Sequence, residues 1–234
     1  MIGSDMRSHG LGFTRRAWLL HCSVACLAWA GQRSSAATPK TTDQGTRPLL
    51  VLGDSLSAEY GLARGSGWVA LLQERLGREG FSLPVVNASI SGDTTSGGRS
   101  RLPALLEQHR PAVLVIELGG NDALRGLPLD MTQTNLAAMV RAGQAAGARV
   151  LVIGMQVPPN YGSKYAQDFG ALFAAVARQE GAALVPFLLK GVADEPQAEK
   201  LFQADRIHPS AAAQSRMLDN VWPVLRPLLK GAPG

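Results

Sequence analysis

The sequence predicts an α/β fold: a three-layer α/β/α sandwich in one domain, built on a five-stranded parallel sheet. Three observations predict it. Five short, mostly apolar runs of four to seven residues recur along the chain. The segments between them place apolar residues at helical spacing. No internal repeat is present. Strands that are apolar along their whole length are buried on both faces. Alternation with helices of this length then argues for a parallel sheet covered on both sides. Right-handed crossovers leave few topologies, and the strand order 2-1-3-4-5 is the expected one.

The elements follow in order. Strand one is 49–52 (LLVL), closed by Gly53. A helix over 68–79 carries Trp68, Leu71, Leu72 and Leu76 on one face. Residues 84–88 (PVVNA) form strand two, and 100–108 form a helix with Leu102, Leu105 and Leu106 facing inward. Strand three is 112–118 (AVLVIEL), followed by a helix over 134–146. Strand four is 149–155 (RVLVIGM), followed by a helix over 165–180 with Phe169, Leu172, Phe173 and Val176 on its apolar face. Strand five, 182–187 (AALVPF), is shorter. The last helix is expected to open at Pro209, because proline's fixed φ suits the first helical position.

The start of the chain has a different character. Arg7, Arg15 and Arg16 precede a 14-residue apolar run, 17–30 (AWLLHCSVACLAWA). A bilayer span needs about 20 residues. Small-residue exits follow at Ala28-Trp29-Ala30 and at Ser35-Ala36-Ala37. This pattern describes a signal peptide over 1–37, cleaved after Ala30 or Ala37, with Thr14-Arg15-Arg16 shaped like a twin-arginine export signal. Cys26 does not complete a lipoprotein box, since Ser23 stands where a larger aliphatic residue is usual. Residues 31–48 hold no large apolar side chain, so 38–48 read as a flexible lead-in to a folded domain over 49–230. A periplasmic or secreted location without a stable membrane anchor is expected.

Export changes the charge balance. Of the 234 residues, 1–37 hold four arginines and one acid, leaving 19 basic and 17 acidic side chains beyond them. The net charge of +5 is therefore largely a property of the leader. No basic stripe with interleaved aromatics is present, which argues against nucleic acid as a partner. Both cysteines, Cys22 and Cys26, lie in the leader. The remainder has no thiol nucleophile and no cysteine ligand for a metal, and a domain of this size can rely on its core in place of disulfides.

Polar clusters follow the strands: Gly53-Asp54-Ser55-Leu56-Ser57, Ser91-Gly92-Asp93-Thr94, Gly119-Gly120-Asn121-Asp122, and Asp205-Arg206-Ile207-His208-Pro209 near the end. In open parallel sheets, ligands bind at the carboxyl edge, where the first three clusters must lie. Ser55 alone reads as a turn or cap residue. It becomes a nucleophile only if a base removes its proton. Beyond the leader the chain has two histidines. His109 falls at the far edge, at a helix end that favours positive charge. His208 is therefore the candidate base. Asp205, three residues before it, is the candidate partner that sets the imidazole tautomer, although Asp-x-x-His alone equally describes a capped turn. The Ser55 amide, the Gly92 amide and the Asn121 side chain are candidate donors to an oxyanion. The glycine-rich 91–98 stretch lacks the lysine and spacing of a phosphate loop. Histidine count excludes a histidine-rich metal site, and no metal or cofactor is expected.

These clusters, in this order, resemble the SGNH hydrolase superfamily, also called GDSL esterases, whose signature Ser, Gly, Asn and His match Ser55, Gly92, Asn121 and His208. Longer stretches are similar to the thioesterase I/protease I/lysophospholipase branch: GDSLSAEYGL (53–62), NASISGDTTSGG (87–98), ELGGNDALRGLP (117–128), VPPNYG (157–162) and DRIHP (205–209). The resemblance covers about 49–229 and implies a flavodoxin-like fold. It also implies a Ser55–His208–Asp205 triad, an oxyanion hole of Ser55, Gly92 and Asn121, and no cofactor. It places one wall of an acyl groove on 123–128, including Leu124, and another at Pro158 and Asn160, with Gly92 and Asn121 also touching substrate. The implied substrates are acyl esters, thioesters and lysophospholipids, and a monomer is expected. A carbohydrate O-acetyl esterase on the same scaffold is the alternative activity. A binding module without turnover is the alternative class. Leu56, Leu62, Leu124 and Leu127 near the blocks favour an apolar acyl groove.

Overall fold

The computed structural model describes residues 47–230. The expected signal peptide (1–37), its cysteines and all but the last two residues of the lead-in lie outside the described residues. Five parallel strands form one sheet: β1 (Leu49–Gly53), β2 (Val85–Asn87), β3 (Val113–Glu117), β4 (Arg149–Ile153) and β5 (Ala183–Val185). Their order is β2-β1-β3-β4-β5, as the alternation of strand and helix predicts. The register runs through Leu50, opposite Val86 on one side and Leu114 on the other.

The helices are α1 (Trp68–Arg78), α2 (Thr95–His109), α3 (Gly120–Leu124), α4 (Leu129–Ala145), α5 (Ser163–Glu180) and α6 (Gln214–Leu229). Because β1 to β2 runs in the opposite sense to the later crossovers, α1 lies on one face with α6, while α2, α4 and α5 pack side by side on the other. The central strands are fully buried between these layers, including Leu49–Leu52 and Val113–Ile116. Phe169 and Phe173 of α5 meet edge to face, with centroids 5.2 Å apart, and contribute to one continuous core. The two outer strands are only partly buried and are three residues long, against five for each of the inner three.

Three helix starts differ from expectation by five residues each. Helix α2 begins at Thr95, not Ser100. Thr94 caps it by accepting from the Gly97 amide at 3.3 Å. Gly97 and Gly98 are helical despite their low propensity. At Gly98 a Cβ would collide with Leu118 and stand 3.3 Å from the Met139 sulfur. The glycine thus lets α2 lie close on β3 and α4, outweighing the propensity penalty of roughly 1 kcal/mol. Helix α4 begins at Leu129, five residues earlier than the apolar spacing marks. Pro209 does not open the last helix: it pairs in an antiparallel bridge with Phe202, and α6 begins at Gln214 after a 3-10 turn over Ala211–Ala213.

Gly98→Val should overpack this contact and lower the unfolding free energy by roughly 1–3 kcal/mol. A lower urea midpoint at unchanged m value is the expected observation. An unchanged midpoint would show that α2 tolerates displacement from the sheet.

Candidate active site

The four polar clusters meet at the carboxyl edge of the sheet. Ser55 follows β1 in a tight turn, where the amides of Ser57 and Ala58 donate to the Asp54 carbonyl at 3.2 and 2.9 Å. The Asp54 carboxylate accepts from the Leu56 amide at 3.0 Å and closes the turn from the side-chain direction. Ser55 is thereby carried on a short elbow at the end of a fully buried strand.

His208 reaches this elbow from 153 residues away. Its Nε2 lies 3.0 Å from Ser55 Oγ, and its Nδ1 lies 2.7 Å from Asp205 Oδ2. The loop that presents it is locally determined. Asp205 Oδ1 accepts the backbone amides of Ile207 and His208 at 2.9 and 3.0 Å, and Arg206 takes a left-handed φ of 58° to allow that turn. The Gln203 amide donates to the His208 carbonyl at 2.8 Å, and the Gln203 side chain donates to the Tyr60 carbonyl at 2.8 Å. This second bond fastens the histidine loop to the segment after Ser55. The Tyr60 ring packs against the imidazole with centroids 4.3 Å apart. The His208 amide, then the imidazole, then the Ile207 amide hold the Asp205 carboxyl well down, at about 2. It is therefore a carboxylate at any working pH and can accept from the Nδ1–H of a neutral imidazole. That tautomer leaves Nε2 as the acceptor facing Ser55.

The candidate oxyanion donors lie on neighbouring elements. Gly92 has φ 78°, a conformation that favours glycine, in the turn before α2. Asn121 sits in the first turn of α3, not in a loop, and its Nδ2 donates to Asp54 Oδ2 at 2.9 Å. Arg125, one turn further along, donates to the Gly92 carbonyl at 2.7 Å and links the two donor segments. Among the described residues, neither the Ser55 nor the Gly92 amide donates to a protein acceptor. Leu124, half exposed, and Pro158 are carried at the same edge by α3 and the loop after β4. His109 ends α2 at the opposite edge, as the sequence implies.

Two acids absent from the sequence-level site stand beneath the elbow. Glu117 ends β3 with 3% exposure, accepting from the Ser57 hydroxyl at 2.7 Å and the Asp54 amide at 3.3 Å. Burial, reinforced by the nearby Asp54 charge, pushes its carboxyl well above the usual range. Burial also pushes Asp54 up, to about 6, against the hydrogen bonds it accepts. An ionisable residue inside the otherwise apolar AVLVIEL run was the available signal for Glu117. Tyr60 and Gln203 left none, because their roles arise only when distant loops meet. Among the described residues no cluster of three histidine, cysteine, aspartate or glutamate side chains is placed to hold a metal. No described helix is long and apolar enough to cross a membrane.

The chain is similar to known proteins of one family. Residues 51–216 match the model of the GDSL-like lipase/acylhydrolase family. The chain is 55% identical over 189 residues to Esterase TesA of Pseudomonas aeruginosa, covering 81% of this chain and 92% of that protein. It is 41% identical over 181 residues to thioesterase 1/protease 1/lysophospholipase L1 of Escherichia coli K12, covering 77% and 84%. The psychrotrophic esterase EstA from Pseudoalteromonas sp., solved inhibited by monoethylphosphonate, superposes with a TM-score of 0.73 at 40% identity, covering 79% of this chain and all of that one. On this evidence, the chain belongs to the GDSL-like lipase/acylhydrolase family and is an ester hydrolase of the SGNH type.

Proposed function

We propose that the protein hydrolyses medium- and long-chain acyl esters and thioesters through a Ser55–His208–Asp205 triad and an acyl-enzyme intermediate. The observation that carries this is the continuous line from Asp205 Oδ2 through the imidazole to Ser55 Oγ, with links of 2.7 and 3.0 Å. Ser55 Oγ attacks the acyl carbonyl as its proton passes to His208 Nε2. The carbonyl oxygen becomes an oxyanion that accepts from the Ser55 and Gly92 amides and from Asn121 Nδ2. The tetrahedral centre collapses, the C–O or C–S bond breaks, and His208 returns its proton to the leaving alcohol or thiol. A water molecule then repeats the sequence on the Ser55 ester, releasing a carboxylic acid and restoring the hydroxyl.

The preference for longer acyl groups rests on the rim. Tyr60, Ile90, Leu124, Tyr161 and Ile207 are the exposed large hydrophobic residues among those described. One lies on each connection that leaves a strand's carboxyl end. Scattered apolar residues need no explanation, but their confinement to one edge suits an acyl chain lying across it. The E. coli relative carries thioesterase and lysophospholipase in its name, which supports the same substrate classes. The leader over 1–37 supports export to the periplasm or beyond.

The test is kcat/KM across p-nitrophenyl esters from acetyl to dodecanoyl, alongside acyl-CoA and lysophospholipid. A maximum at medium or long chains with turnover of acyl-CoA is expected. An optimum confined to acetyl esters would assign the protein to O-acetyl removal. Stoichiometric binding without product would overturn hydrolysis altogether.

A further inference from the structure

We propose that Asp54 is a positioning residue of the oxyanion hole, its carboxylate fixing the Asn121 amide so that one N–H of Nδ2 is held and the other faces the acyl oxygen. The proposal rests on the ester-hydrolase reading of Ser55 above and assigns a role to a buried acid that the triad does not use.

The geometry is specific. Asp54 Oδ2 accepts from Asn121 Nδ2 at 2.9 Å, while Oδ1 accepts from the Leu56 amide at 3.0 Å. The residue is 2% exposed, so water cannot readily substitute for either bond. An ionised carboxylate only accepts hydrogen bonds. An asparagine flipped to present its oxygen to Asp54 would set acceptor against acceptor in a buried site, which costs far more than a missing bond. The amide is thereby locked with nitrogen toward Asp54. Because the amide group is planar, the second N–H points away from Asp54 and remains available. Asp54 is bonded in sequence to Ser55, so one turn carries both the nucleophile and the group that aims Asn121.

Glu117 supports the arrangement from below. It accepts from the Asp54 amide and the Ser57 hydroxyl, fixing the elbow at two points. Burial, reinforced by the Asp54 charge, favours the neutral form of its carboxyl, so the two acids need not carry charge side by side. Asp54 thus meets two donors, the Leu56 amide and Asn121 Nδ2, in a dry site. Its role is separate from that of Asp205, which contacts the imidazole from the outer side.

Asp54→Asn tests this directly. An amide offers one acceptor oxygen where two N–H groups must be met, so either Leu56 or Asn121 loses its partner. Asp54→Ser is the second variant: its hydroxyl can still accept from Leu56 but is too short to reach Asn121. Both are expected to lower kcat by about 10²-fold, with KM changed less than about threefold, as for loss of an oxyanion donor. In the background of Asn121→Ala, neither should cause a further loss beyond about threefold, because residues acting through one another are not additive.

Unchanged kcat in both variants, a loss carried by KM, or losses that multiply with Asn121→Ala would each overturn the proposal. So would failure of both variants to fold, which would assign Asp54 to the structure of the turn. The Ser55→Ala variant separates the levels. If it is inactive while Asp54→Asn is fully active, only the Asp54 role falls. If it retains activity, the underlying reading falls too.

Discussion

Ser55→Ala should abolish ester hydrolysis, with kcat falling by roughly 10⁴–10⁶-fold, while the folded state is retained. The side chain is a small hydroxyl on a turn held by the Asp54 carbonyl and carboxylate, so its loss removes one hydrogen bond to His208 and leaves the elbow intact. His208→Ala should match it within about tenfold, since nucleophile and base act as a unit. A fluorophosphonate probe separates the two possible meanings of lost activity. The wild-type enzyme should gain one covalent adduct, located on Ser55 by peptide mass spectrometry, and Ser55→Ala should gain none. Labelling at full rate in Ser55→Ala would move the nucleophile elsewhere.

The features legible in the sequence share a physical cause: they depend on short-range patterns. Strands β1 and β3 are visible because burial on both faces removes every polar residue from 49–52 and 113–116. Right-handed crossovers leave few strand orders, of which 2-1-3-4-5 is the one found. The site's location follows from where parallel strands end. His208 emerges by elimination, because His109 is on the wrong edge. The features that the sequence does not reveal depend on distant contacts. Residues 95–99 fall outside the helix that apolar spacing marks until Leu118 and Met139 are seen to require a glycine against them. Pro209 looks like a helix start until Phe202 is found paired with it. Asp54 is visible as part of a motif, but its bond to Asn121 spans 67 positions and depends on β1 and β3 lying side by side. Tyr60 against His208 is legible only after the sheet has brought both loops to one edge.

Asp205→Asn carries the second large effect, and its direction follows from hydrogen-bond chemistry. The asparagine oxygen can still accept from the Ile207 and His208 amides, so the turn should survive. Its nitrogen would then face His208 Nδ1 as a donor. The imidazole can meet that donor only by moving its own proton to Nε2, the nitrogen that must accept from Ser55. The wrong tautomer is thereby enforced, and kcat should fall by roughly 10³–10⁴-fold with KM nearly constant. The wild-type carboxyl titrates near 2, so between about pH 5 and 9 no limb of the activity profile belongs to it. Its contribution to folding has the sign of a depressed acid: present above the ordinary aspartate range and lost as pH falls through about 2. Because the Asp205 side chain is about a third exposed, the variant should melt close to wild type at neutral pH. A kcat within tenfold of wild type in a normally folded Asp205→Asn would restrict Asp205 to shaping the turn, and the imidazole would need another orienting group. Its outer face meets the Tyr60 ring, which accepts no such proton, so Asp205 is the group in the structure fitted to the task.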